Sequence, residues 1–221
     1  MKSLYDLHTH SLLSDGEMLP IELIRRASVL GYTTLAIADH VDHSNLSEVI
    51  AAQQEVKEIA GEYGLTFLCG VEITHVPPTC IPGVARRAKE EGAEVVVVHG
   101  ETVVEPVAPG TNHAACTCNA VDVLAHPGLI TLRDAREAAK RSIALEITSR
   151  AGHNRTNGHV AAVAREARCI LVVDSDAHGP HDLLPAGARR LVARGAGLSE
   201  AEARNSLGLN ISSWLATRPD I

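Results

Sequence analysis

The sequence predicts an α/β protein, a closed or nearly closed seven-stranded β/α barrel of the TIM-like kind, and three observations carry that expectation. Short apolar runs rich in Val and Ile alternate with longer amphipathic stretches along most of the 221 residues. Aromatic residues are only 2% of the chain while hydrophobic residues are 45%, so the core must be assembled from Val, Leu, Ile and Ala, the residues of covered parallel strands. Most of the runs end in a histidine or an acid. In a parallel barrel all such ends fall on one face, the face that carries active sites.

Taken in order, the predicted strands are Ser3–Leu7, Thr34–Ala38, Thr66–Val71, Val95–Val98, Val121–Ala125, Ile143–Ile147 and Ile170–Val173. Between them the helical stretches are Pro20–Leu30, Leu46–Tyr63, Ile81–Glu91, Leu132–Arg141 and Gly158–Ala167. Pro20 suits a first helical turn, and Gly31, Gly64 and Gly92 are placed to end helices. Gly100–Asn119, interrupted by Pro106, Pro109 and Gly110, reads as a loop leading into a short helix. The tail from Pro185 to Trp214 reads as two or three helices, one opened by a Ser199/Glu202 capping box. Without a linker or repeat, residues 1–221 are expected to form a single domain, barrel over about 1–180 and C-terminal helices over about 185–217.

The formal net charge is −7 and no dense basic block occurs, which argues against long nucleic acid as a partner. No apolar run approaches the ~20 residues that span a bilayer. The N-terminus runs straight into a polar motif with no signal-like segment, so a cytoplasmic protein with no membrane partner is expected. The cysteines, Cys69, Cys80, Cys116, Cys118 and Cys169, lack paired zinc-ribbon spacing and read as reduced thiols. The sequence sets no oligomeric state.

The chemistry is concentrated at the strand ends. In order these endings are Asp6-Leu7-His8-Thr9-His10 with Asp15 close behind, Asp39-His40, Glu72, His99, His126, Glu146, and Asp174-Ser175-Asp176-Ala177-His178. His8 and His10 alternate about one residue, so both imidazoles can leave the same side and meet one ion, and Asp176 and His178 repeat that spacing. A single strand-end histidine is more often a hydrogen-bonded core or surface group. A set of imidazoles and carboxylates crowded into one mouth is costly to bury unless cations neutralise it, and this donor mix suits zinc, manganese or iron. His75, His113, His153, His159 and His181 fall outside the pattern and are expected to be solvated or rim residues, while His43 could line the pocket.

At these residues the chain resembles the polymerase-and-histidinol-phosphatase (PHP) family of metal-dependent phosphoesterases. The motifs DLHTHSLLSDG, ADH, GVEIT, VVHG, LAHPG, LEIT and DSDAH stand in that family's order across positions 6–178. The resemblance implies the family's distorted barrel, a trinuclear site, and two to three divalent transition metals (Zn, Mn or Fe). Carried over by motif, one ion would be bound by His8, His10, Glu72 and Asp176. A second would be bound by the bridging Glu72 with His99 and His126, and a third by Asp15, His40 and His178. Asp15 stands where many histidinol phosphatases carry histidine, which keeps a ligand but weakens histidinol phosphate as the substrate. Asp6, Asp39 and Glu146 are expected to orient ligating histidines or the attacking water.

The activity implied is hydrolysis of a small phosphate monoester, with Asp176 or His178 handling a proton and Arg150, ahead of Arg133 and Arg155, gripping the substrate anion. Only Gly100–Asn119 and Arg150–Asn157 are available as rims, which suits a small phosphorylated substrate. Two alternatives stand beside it: a nucleotide or short-oligonucleotide phosphodiesterase or nuclease, and a non-catalytic binding protein like a ribonuclease P subunit. An amidohydrolase would typically carry a carboxylated lysine, and no lysine stands at a strand end.

Overall fold

The computed structural model describes residues 4–218, so Ser3, the start of the first expected strand, lies outside the described residues. The strands are β1 (Tyr5–Asp6), β2 (Thr34–Val41), β3 (Thr66–Ile73), β4 (Val95–His99), β5 (Val123–Ala125), β6 (Ala144–Thr148) and β7 (Leu171–Asp174). All pair in parallel and in sequence order. The sheet bends round into a nearly closed barrel, and the seam falls just past β1 and β7. There the His10 N–H donates to the Ala177 carbonyl (2.8 Å) and the Asp176 N–H to the His8 carbonyl (2.9 Å). The two segments with alternating donors are thus tied to each other.

Period-two alternation decides what the barrel interior holds. Inward positions low on the strands form one apolar cluster of Ala36, Ala38, Leu68, Val95, Val97, Val123, Ala125, Ala144 and Val172. Continuing the same parity upward gives His40, Glu72, His99 and Glu146, so the interior changes from hydrocarbon to donor groups within one strand length. The opposite parity packs Val71, Ile73, Val96, Val98, Leu124, Leu145, Ile147 and Val173 against the surrounding helices.

Those helices are α1 (Pro20–Val29), α2 (Leu46–Glu62), α3 (Ile81–Glu90), α4 (Thr111–Cys116), α5 (Leu132–Lys140), α6 (Asn157–Ala167), α7 (Ala186–Gly195), α8 (Glu200–Leu207) and α9 (Ile211–Leu215). α4 is the short helix expected after the Gly100 loop. α8 opens with the expected capping box: the Glu202 N–H donates to Ser199 Oγ (3.2 Å) and the Ser199 N–H to the Glu202 carboxylate (2.7 Å). α9 closes the barrel floor. Its Ile211 and Trp214 join the inner apolar cluster, and the indole N–H donates to the Ser142 carbonyl (3.0 Å). No described helix is long and apolar enough to cross a membrane.

One charge is buried beside the floor. Arg189 is 1% exposed, lies 3.8 Å from Asp174 and 4.7 Å from the Tyr5 ring centroid, and donates to the Tyr5 and Val173 carbonyls. Burial raises the carboxyl pKa values of Asp6 and Asp174, and Arg189 opposes that rise at both. Replacing Arg189 with Met removes the counter-charge and is expected to destabilise the fold by about 3–5 kcal/mol. Urea unfolding reads this as a lower midpoint at unchanged slope, and an unmoved midpoint would contradict the assignment.

Candidate metal centre

The polar ends of the strands converge as the sequence predicts, and Glu72 lies at their centre. Its side chain is wholly buried, with His8 Nε2 at 3.3 Å, His10 Nε2 at 3.7 Å, His40 Nδ1 at 2.8 Å and His126 Nε2 at 3.6 Å. Neither Glu72 oxygen has a hydrogen-bond partner: the His10 and His126 nitrogens are too distant, the His8 nitrogen approaches off the hydrogen-bonding direction, and His40 Nδ1 bonds Thr74 Oγ1 (2.6 Å) instead. Asp176 faces the same space from β7, 3.3 Å from His10 Nε2 and 3.6 Å from His126 Nε2. Asp15 stands at the outer rim, 3.2 Å from His178 Nε2 and 3.6 Å from His40 Nε2.

Several imidazoles have the outer nitrogen occupied and the inner one turned to this space. His8 Nδ1 meets Glu146 at 2.7 Å, His99 Nδ1 meets the Gly100 carbonyl at 3.1 Å, and His178 Nδ1 meets the Asp176 carbonyl at 3.0 Å. In each ring Nδ1 is anchored and Nε2 is left as the ligand atom, the usual orientation of a metal-binding histidine; in His8, held protonated by its acidic neighbours, a cation must first displace the Nε2 proton. His8 Nε2, His10 Nδ1 and Nε2, and both Glu72 oxygens are buried without any hydrogen-bond partner. Orphaned donors and acceptors of this kind are costly unless something else satisfies them, and a divalent cation would.

The backbone is shaped to the same end. His126 and Asp176 have φ of +26° and +53°, in the region that non-glycine residues rarely occupy. After the inward Ala125, regular alternation would turn residue 126 outward, and this conformation brings His126 in. Such strain costs of order 1–3 kcal/mol per residue and gathers at functional sites. Gly128 (φ +58°) is required for close approach, since a Cβ there would fall against the Glu101 carbonyl. Asp39 fixes the turn between His10 and Asp15. Its carboxylate accepts from the Ser11 N–H (2.7 Å), Ser11 Oγ (2.8 Å) and Ser14 Oγ (2.7 Å), rather than from a histidine.

Charge is strongly coupled here. Burial would depress the His8 pKa, but Glu146, Glu72 and Asp176 outweigh it and hold the ring well above its ordinary value. Burial likewise opposes protonation of His40, yet Glu72 and Asp15 take it up to about 10. Burial lowers His10 and His126 well below the usual range, helped by His8 and His40 in the first case and His99 in the second. Burial would raise Glu72, but His8 and His40 hold it well below the ordinary carboxylate range. Burial raises Asp176.

Four groups of side chains have ligand atoms within 4.8 Å of one another: His10/Asp15/His40/His178, His8/His10/Glu72, His8/His126/Glu146 and His99/His126/His153. Every residue singled out as a metal ligand borders this one space, and all but Asp176 appear in a group. His153 is a correction. The sequence pattern makes it a solvated or rim residue, yet its side chain is only 11% exposed, and its ring lies 4.3 Å from that of His126. Glu105 is a second residue the pattern does not find; it reaches back from the β4 loop to within 3.4 Å of both His99 Nε2 and His75 Nε2. Neither is at a strand end, so strand parity gives no signal for them. Arg150 lines a cavity of about 430 Å³ with Ser149, Ser175, His181 and Asp182, its guanidinium 3.4 Å from Asp182. Arg133, Arg155 and His43 are exposed or at most half-buried. The pair Cys116 and Cys118 is buried in the outer apolar layer and joins no candidate metal group among the described residues.

The sequence matches the family model for the PHP domain over residues 6–102. An uncharacterized protein of Methanocaldococcus jannaschii is 47% identical over 205 residues, which is 92% of this chain and 94% of that one. Among solved structures, a chain of archaeal ribonuclease P with mature tRNA superposes with a TM-score of 0.69 at 18% identity, covering 96% of this chain and 90% of that one. Histidinol phosphate phosphatase from Lactococcus lactis, complexed with zinc, L-histidinol and phosphate, superposes with a TM-score of 0.60 at 15% identity, covering 89% and 95%. At these identities the superpositions show the shared fold.

His8 and His40, held above neutrality, carry protons in the metal-free protein, and a cation must displace them. Metal affinity is therefore expected to rise with pH up to about pH 10, where His40 loses its proton, with proton release on binding at neutral pH. Calorimetry in buffers of different ionisation heat measures the release; pH-independent affinity with none released would contradict this reading of the two rings.

Proposed function

The chain belongs to the PHP family of metal-dependent phosphoesterases, and from that premise we propose that it hydrolyses a small phosphate monoester at a trinuclear metal centre. The observation that carries this reading is the set of imidazole nitrogens turned on the acids: His8, His10 and His126 present Nε2 to Glu72, His10 and His126 present it to Asp176, and His178 presents it to Asp15. In this reading His8, His10, Glu72 and Asp176 hold one divalent ion. Glu72, shared, holds a second with His99 and His126, and Asp15, His40 and His178 hold the third. Zinc, manganese and iron all suit the donor set. Bound cations supply Lewis-acid polarisation of phosphorus, charge neutralisation and a water of lowered pKa.

The chain's own groups do the remaining work. Glu146 fixes the tautomer and orientation of His8, and the Asp176 carbonyl does so for His178. Asp176 Oδ1 lies 3.4 Å from His178 Nδ1, and with His178 Nε2 given to an ion and its Nδ1 proton to the Asp176 carbonyl, the Asp176 carboxylate is the group left to handle a proton at the reacting oxygens. Arg150 is placed to grip a substrate anion in the cavity beside Ser175, giving up its contact with Asp182 to do so. The ribonuclease P-like fold supports a second reading, a nucleic-acid-binding protein without catalysis. The filled donor set favours the enzyme.

A panel of phosphate monoesters and diesters assayed with manganese is expected to give turnover of monoesters. Turnover confined to diesters or RNA would move the assignment to a nuclease, and none at all would remove the enzyme. Glu146→Gln keeps the shape of the His8 partner but loses its charge, and is expected to lower metal affinity or turnover about 10- to 100-fold. Unchanged values for both would show that His8 does not depend on Glu146.

A further inference from the structure

We propose that His153 is a further ligand of the ion assigned to His99 and His126, an inference that rests on the metal-centre reading above. After β6 the backbone turns at Gly152 (φ +90°), where a Cβ would meet the side chain of Val104 at 3.3 Å. The 3-10 turn His153–Thr156 then folds the rim back toward the mouth. This places His153 under the β4 loop instead of in solvent.

Its ring stands 5.9 Å from that of His99, nearly perpendicular to it, as well as 4.3 Å from His126. One ring nitrogen from each of the three falls within the 4.8 Å spread expected of ligands to a single ion. His153 Nδ1 is buried without a hydrogen-bond partner, and so is His126 Nδ1. A core histidine kept for packing alone would be expected to find a carbonyl, as His159 does with the Ile130 carbonyl at 2.8 Å. On the opposite edge of His153, Nε2 lies 3.9 Å from the Glu105 carboxylate, on the side where a ligating imidazole commonly has an acidic neighbour.

Three imidazoles are by themselves a donor set that holds zinc. With His153 added to His99 and His126, that ion is held more tightly than the two histidines alone would hold it.

The test is zinc retention, which needs no turnover. Wild-type protein, His153→Ala and His153→Cys are stripped, reloaded with zinc and dialysed against increasing concentrations of a chelator, with bound zinc counted by elemental analysis. For His153→Ala, one equivalent is expected to leave at a chelator concentration about tenfold lower than in the wild type, with the rest unmoved. His153→Cys is expected to restore retention, because a thiolate also ligates zinc. If His153→Ala fails to give a folded circular-dichroism spectrum, His153→Asn takes its place in the comparison. Superimposable retention curves for wild type and variant would overturn the inference and leave the metal centre standing. A wild type that holds no zinc or manganese would overturn both.

Discussion

A fully buried carboxylate, Glu72, sits where the imidazoles of His8, His10, His40 and His126 meet, and the rest of the mouth is arranged around that charge. A carboxylate in so dry a place must be paired, and the protein pairs it with rings that also repel one another. His10 and His126 are driven toward the neutral form while His8 and His40 are held protonated, a compromise that no arrangement of protons removes. Cations resolve it, since they satisfy Glu72 and the neutral lone pairs together. The mouth is therefore poorly suited to be only a folded core.

The barrel supplies the rigidity that such a centre needs. The seam of the sheet is closed by hydrogen bonds between the His8–His10 segment and the Asp176–Ala177 segment, so closing the fold and assembling the donors are one event. Below, the floor is filled by small and branched inward residues and by Ile211 and Trp214. Arg189 balances the acids Asp6 and Asp174 that hold the backbone of the seam, Asp6 accepting from the His8 and Ser175 N–H groups and Asp174 from the Leu7 N–H. The strain at His126 and Asp176 is tolerated because these surroundings leave the backbone little alternative.

Most of the fold and the donor set is legible in the sequence, because both follow from period-two alternation and from the residue that ends each strand. The departures have local causes. β2 and β3 run on to Val41 and Ile73, past the ends expected at Ala38 and Val71, since His40 and Glu72 stay in ladder register opposite each other. A polar residue that reads as the end of a strand is here its inward-facing top. β5 starts at Val123, two residues later than expected, and just before it the Asp122 carboxylate accepts from the Val96 N–H (2.8 Å) and pairs with Lys89 (2.6 Å). His153 and Glu105 escape the pattern because they return from loops, where only tertiary packing sets direction. Asp39 matters, as its position suggests, but through different partners, since a strand-end acid can hold a turn as readily as an imidazole.

The central claim is that the converging strand ends form a polynuclear metal centre. Anomalous X-ray diffraction from crystals grown with manganese or zinc, measured on both sides of the metal's absorption edge, tests it most directly. Peaks are expected between the side chains of this mouth, with one pair of peaks sharing Glu72. Crystals with the donors in the same positions and no anomalous peak among them, at saturating metal, would contradict it.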